Sequence, residues 1–450
     1  MKHKFDEIPI KKLVLQLGIP AMLAQFFNIL YSIVDRMFVG NIPGHGDLAL
    51  ASIGISAPAL TAIGAFAYLI CIGGSSYMSI SLGKKEPEMA NKAISQSFMM
   101  LLLVSIAVTI SCLIFKKPLL YALGCSDTMY PYANSYFSIY VLGTFASLMS
   151  LGMNFFVLAQ GHAKQGMISI ALGAVVNLIL DPVFIYGFDL GIAGAATATV
   201  LSQICSMIYV LRFLFSSSNP IRISFGKLDW SILKKTLAIG MMPFIIMLVD
   251  NLIVIFLNAS LRNYGGDALG DLYISAAAIV QSFMVLITCP LQGITNGCST
   301  LYSYHYGAGN YKKVMESFRY VLLVCACYVV ILMVAAQAFP SVFVRLFTQD
   351  AKMIGLCTGF IRKYTMGLLG VAVQFAVVDG LTAMGKVRYT LPVSFLRKII
   401  FLLCIFILPM VTSLDNIFYC ETISDLLGAT FTSVLFLCVI RHKLKQELTA

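Results

Sequence analysis

Four aspartates stand inside long apolar stretches of this 450-residue chain: Asp35, Asp181, Asp250 and Asp379. An aspartate at the centre of a bilayer costs about 2.5–3.5 kcal/mol on insertion scales, so four cost on the order of 10 kcal/mol. Acids kept at that cost usually mark ion or proton paths, the alternative being a buried structural pair. In the first half Asn28, Tyr31 and Asp35 are spaced i, i+3, i+7 and share one helix face. Asn177 and Asp181 are i, i+4, with Pro182 next, while Asn154 and Thr199 fall in neighbouring apolar segments. Carboxylates, amide oxygens and a hydroxyl suit a hard cation, and Na⁺ at Asp35, Asn177, Asp181 and Thr199 is one expectation. The same carboxylates suit a proton where burial favours the neutral form. A hydrogen-bonded knot that locks helices together is the third reading. In the second half Asp250, followed by Asn251, and Asp379 make a candidate second acidic locus, and Arg397 and Lys398 are expected to snorkel or to pair with an acid.

No catalytic group and no cofactor are expected. The 12 cysteines sit singly in apolar runs, no C-x-x-C occurs and the five histidines are scattered, which argues against zinc and against a disulfide framework. Neither H-E-x-x-H nor G-x-S-x-G is present. A-L-G-D, ending at Asp271, lacks the first glycine of a G-x-G-D protease motif.

The elements that must position these residues are membrane spans. Some 59% of the residues are apolar and only 11% charged, against roughly 25% charged in an ordinary soluble domain; the mean hydropathy is +0.88. A water-soluble enzyme is thereby disfavoured. A span needs about 20 mostly apolar residues, and twelve candidates are read at approximately 13–39, 50–80, 93–115, 132–159, 166–188, 191–215, 232–261, 272–303, 315–340, 357–383, 388–411 and 417–440. The first is too long for a signal-peptide core and has no small-residue cleavage pattern. With both termini placed in the cytoplasm, 21 of the 31 basic residues fall on the inner side and 8 on the outer, as the positive-inside rule requires. The net charge of +11 therefore points to the inner face of a plasma membrane, and nucleic acid is not expected as a partner.

The chain also repeats itself. Gly73 and Gly83 match Gly297 and Gly307 at an offset of 224; Gly161 and Gly385, and Lys164 and Arg388, share that offset, and Pro20 and Pro243 differ by 223. Six spans separate equivalent residues, so the halves have the same topology and should be related by an axis along the membrane normal. The lobes are drawn as 1–222 and 223–450, joined near Ser216–Asp229. The small-residue run G-I-A-G-A-A-T-A-T, Gly191–Thr199, is read as a helix-packing face.

In order along the chain, Y-S-I-V-D-R-M-F-V-G, G-G-S-S-Y-M-S-I-S-L-G-K-K, A-Q-G-H-A-K, N-L-I-L-D-P-V-F-I-Y-G-F, G-I-A-G-A-A-T-A-T-V-L-S-Q and N-G-C-S-T-L-Y-S-Y-H-Y-G-A-G resemble motifs of the MATE (multidrug and toxic compound extrusion) family, with His305 where Asn is usual. The resemblance implies an all-α integral membrane fold of twelve transmembrane helices in two pseudo-symmetric six-helix lobes forming a V. It also implies a secondary antiporter that exports organic cations and other amphipathic compounds, driven by Na⁺ or H⁺ entry. The family's N-lobe cation site maps onto Asp35, Asn154, Asn177, Asp181 and Thr199. Another branch uses acids in the seventh and tenth helices, near Asp250 and Asp379, with Asp in place of the usual Glu in the seventh. Asn28, Tyr31 and Gln281 are candidates for lining a substrate cavity, and a monomer is expected. The rival within the superfamily is a lipid-linked oligosaccharide flippase, whose phosphates call for a basic cavity. The major facilitator class is disfavoured because G-K-K-E-P-E-M-A-N stands where its basic loop would be.

Overall fold

The structure is a computed structural model that describes residues 4–43, 45–217, 219–224, 229–347 and 349–449. Lys2 and Lys227 of the charge count, and parts of the join at Ser216–Asp229, lie outside the described residues, as does the Asp271 side chain. Among the described residues there are helices and no strands, as a chain must fold whose backbone groups have no water to bond to. Among the described residues ten helices are long and apolar enough to cross a membrane, or twelve spans when each of two bent pairs counts as one.

The helices used below are α1 (Ile10–Gly40), α2 (Gly46–Ala67, prolonged through a π turn at Tyr68–Ile72 to Gly83), α3 (Pro87–Ile114), α4 (Tyr130–Leu142), α5 (Thr144–Ala159), α6 (Ala163–Pro182) and α7 (Gly191–Phe215). They continue with α8 (Trp230–Gly307), α9 (Tyr311–Ala338), α10 (Ala351–Thr365), α11 (Leu368–Ala383), α12 (Val387–Val411) and α13 (Tyr419–Leu435). α8 is two spans, broken at Gly266 where φ is 59°.

The chain divides into two compact units, one of Ile19–Met247 and one of Met1–Gly18 with Leu248–Ala450. In the first, Ile70, Met78, Ile94, Leu101, Phe137, Met149 and Phe156 are central to the core. There the start of α8 packs on α2 at backbone distance: a Cβ on Gly240 would stand 1.7 Å from the Leu69 carbonyl oxygen, and one on Gly73 1.9 Å from that of Thr236. In the second unit the start of α1 lies on the end of α8, where a Cβ on Gly18 would meet Cys298 Sγ and Ile294 at 3.3 Å.

The offset of 224 returns in the backbone. The bent pairs are α4 with α5, at 54°, and α10 with α11, at 46°. They break at Gly143 and Gly367, which differ by 224. Gly161 and Gly385 both take a left-handed φ, of 81° and 75°, directly after the C-cap residue of a helix, where a residue without Cβ is preferred. Gly309 has φ 69°, but its counterpart 224 residues earlier is Lys85, at φ 64°.

Candidate functional site

In the unit Ile19–Met247 the packing of α6 on α7 brings the polar residues together. Ser206 Oγ donates to the Ser169 carbonyl at 2.9 Å and Ser169 Oγ to that of Ser206 at 3.3 Å. Gly173 leaves room for the Ser206 hydroxyl, which a Cβ there would meet at 2.3 Å. This antiparallel register sets Asn177 opposite Thr199, and Asn177 Nδ2 donates to Asp181 Oδ1 at 3.1 Å and lies 3.5 Å from Thr199 Oγ1. The small-residue run on α7 packs as expected: Ala195, Ala196 and Ala198 are fully buried, and a Cβ on Gly194 would meet the Phe184 backbone at 2.7 Å.

α6 ends at Pro182 and passes into a π turn, Val183–Gly187. Proline offers no N–H to the carbonyl one turn back, and such widened turns recur at functional sites. The turn carries Ile185 into a second apolar cluster with Val39, Ile53, Tyr136, Ile192 and Ala195. Val39 and Ile185 lie one turn beyond Asp35 and Asp181, and Ala195 one turn before Thr199. That cluster therefore closes one end of the site, and it fixes α1 so that the Asp35 side chain comes within hydrogen-bonding reach of Asp181. Tyr31 faces both carboxylates, and Tyr136 faces Asp35.

The site is short of donors. Asp181 is 0% exposed and Asn177 1%. Asp35 Oδ1, Asn177 Oδ1 and Asp181 Oδ2 are all buried acceptors with no hydrogen-bond partner. Buried polar atoms are ordinarily paired, and two carboxylates cannot bond to each other unless a proton or a cation lies between them.

Of the residues expected here, Asp35, Asn177, Asp181 and Thr199 converge. Asn154 does not: its Oδ1, also unpartnered, lies 3.0 Å from the Cβ position of Gly166, eleven residues or about 16 Å along α6 from Asn177. Asn28 is exposed, although it shares its helix face with Tyr31. Gln281 is half-buried in the other unit. Tyr136 and Tyr140, the latter accepting from Gln203 Nε2 at 3.2 Å, were not among the expected residues; their only signal is i, i+4 spacing within an apolar span.

In the unit that holds Leu248–Ala450, Asp250 and Asp379 have separate partners. Thr295 Oγ1 donates to Asp379 Oδ2 at 2.5 Å, while Lys398 Nζ is paired with Asp250. Arg397 Nε donates to Asp425 Oδ1 at 2.7 Å and its Nη2 to Glu421 Oε1 at 2.6 Å. Both basic residues thus pair with acids. The reading of only four acids inside spans is corrected, since Glu421 and Asp425 lie in α13. Their i, i+4 spacing behind an intramembrane arginine is the signal that would have found them.

The MatE family's sequence profile matches residues 20–183 and 244–410, more than half of the chain. The multidrug export protein MepA of Staphylococcus aureus (strain bovine RF122 / ET3-1) is 23% identical over 448 residues, covering 99% of this chain and 97% of that protein. MepA of Staphylococcus haemolyticus (strain JCSC1435) is also 23% identical, covering 98% and 96%. Among solved structures, an outward-facing multidrug resistance MATE family transporter of the MOP superfamily aligns at a TM-score of 0.92 with 21% identity, covering 99% of this chain and all of the other. A MATE structure in complex with MaD3S aligns at 0.91, with 21% identity and 98% of each chain covered. With ten to twelve spans among the described residues and a profile match in each half, the chain is a multi-pass membrane protein that belongs to the MatE family of multidrug efflux transporters.

Proposed function

We propose that the chain is a secondary active antiporter of the plasma membrane, with both termini cytoplasmic. It exports amphipathic, chiefly cationic organic compounds as a monomer in exchange for Na⁺ or H⁺. The observation that carries this reading is the donor-poor cluster in which Asp35 meets Asp181, with three acceptor oxygens left over. A Na⁺ ion satisfies those oxygens at once; a proton satisfies one and links the two carboxyls. Either one relieves the like-charge repulsion, so the loaded and empty sites favour different conformations. The exported compound is then driven only by its own difference in affinity for those conformations. Relatives that span the whole chain are named multidrug export proteins, and the excess of basic residues on one side supports the orientation. A lipid-linked oligosaccharide flippase needs free cations for phosphate, and Arg397 and Lys398 are both taken up by carboxylates.

The test is drug efflux in vesicles. Asp35→Asn and Asp181→Asn each abolish coupled export, and full activity in both overturns the assignment. On purified protein in liposomes, a Na⁺ gradient without a pH gradient, and then the reverse, identifies the coupling ion.

A further inference from the structure

The charge cluster of the other unit is not used by the site around Asp35 and Asp181. It consists of Asp250 on α8, Arg397 and Lys398 on α12, and Glu421 and Asp425 on α13. Lys398 is paired with Asp250, whose side chain is half-exposed, so Arg397 alone faces Glu421 and the buried Asp425, and with every group ionised one negative charge is left uncompensated there. Intramembrane charge is costly and usually functional, and a buried carboxylate without a counter-charge favours its neutral form. Arginine does not give up its proton, so the balance must come from an acid.

Asp425 is that acid. Its side chain is fully buried, and while Oδ1 accepts from Arg397, Oδ2 has no partner. Small residues let the helices close over it: a Cβ on Gly370 would stand 2.5 Å from the Asp425 carbonyl oxygen, and one on Gly367 3.1 Å from the Asp425 side chain. A proton needs no such room. A second observation lies one turn away. Gln374 on α11 is 3% exposed with neither amide atom partnered, and it sits against Gly428 beside the stem of Arg397. From the other elements packed here, Tyr364 on α10 faces Glu421, Asp425 and Arg397, and Cys420 on α13 faces Glu421, Asp425 and Cys404 of α12. Ordinary phenols and thiols bring no charge at neutral pH, so they leave the tally unchanged.

We propose that Glu421 and Asp425, bridged by Arg397, form a proton-binding site separate from the one at Asp35 and Asp181. The proton rests on Asp425 Oδ2. It exchanges with water through Glu421, which is 14% exposed on the other arm of the same guanidinium. Removal of either carboxylate leaves one acid against Arg397, so the remaining one stays ionised.

The experiment is an infrared pH titration of the full-length protein in lipid nanodiscs, carried out in the Asp35→Asn/Asp181→Asn background so that the first site is silent. Lowering the pH raises a carboxylic C=O band, and Asp425→Asn and Glu421→Gln each reduce it by one group per chain. A band undiminished in both variants overturns the proposal. So does its loss when sodium replaces choline at constant pH, which assigns the site to a metal ion. Where neither variant folds, Asp425→Glu keeps the carboxyl and must shift the band; an unshifted band overturns the assignment.

Discussion

Asp181→Asn separates the role of the first site from its contribution to stability. Two ionised carboxylates about 4 Å apart repel by about 4 kcal/mol at an effective dielectric constant of 20. Asp35 is only half-buried, and solvent screening brings that to ~2–3 kcal/mol in the empty site. Asparagine removes the charge and supplies an N–H to the donor-poor cluster, a bond to a charged acceptor worth about 1.5–3 kcal/mol. Relief of the repulsion alone therefore makes the empty variant more stable than the empty wild type by about 2–3 kcal/mol, and the new bond adds to that. For a unit the size of Ile19–Met247 that is roughly 5–10 °C in melting temperature. The wild type recovers the difference when its cation binds, by about 2.7 kcal/mol at a hundred times the dissociation constant. Thermal melts in detergent, with choline exchanged for sodium and at stepped pH, read both effects. In choline the empty wild type melts below the variant, whose site has lost the like-charge repulsion. Efflux by the variant is lost despite the gain in stability. A variant that melts below the wild type in every buffer, or that still responds to sodium or protons, refutes the reasoning.

Four further outcomes follow from the geometry. Gly240→Ala sets a methyl group 1.7 Å from the Leu69 carbonyl oxygen and costs more than ~3 kcal/mol, read as lost monodisperse protein on size exclusion. Gly54→Ala meets nothing within 4 Å and raises stability by up to about 1 kcal/mol, as a helical glycine replaced by alanine should. Lys85→Gly relieves a left-handed backbone and stabilises by ~1 kcal/mol, whereas Gly309→Lys destabilises by ~1–2 kcal/mol, both visible in thermal melts. Asn177→Ala weakens the cation's stabilising effect tenfold or more, while Asn154→Ala leaves it unchanged, measured as the shift in melting temperature with ion concentration.

Much of the architecture was legible because the bilayer makes its demands locally. A span must be apolar over about 20 residues and must bond its own backbone, so hydropathy alone marks it. The repeat was legible for a related reason: Gly161 and Gly385 take conformations that side chains resist, so glycine persists there in both halves. Lys85, opposite Gly309, shows the limit, since one copy has tolerated the strain.

Asp35, Asn177 and Asp181 declared themselves by being polar where polarity is expensive. Their assembly did not. The register of α6 on α7, set by Ser169, Gly173 and Ser206, brings Thr199 to Asn177. The same helix's rise carries Asn154 about 16 Å away, although its residue type is equally suitable. Glu421 and Asp425 went unread because they stand near the start of a span, where an acid can face water. Only the packing of α12 on α13 shows them closed around Arg397. Composition and spacing determine which residues pay to be inside the membrane. Which of them meet depends on helix register, a property of side chains distant in sequence that no single segment contains.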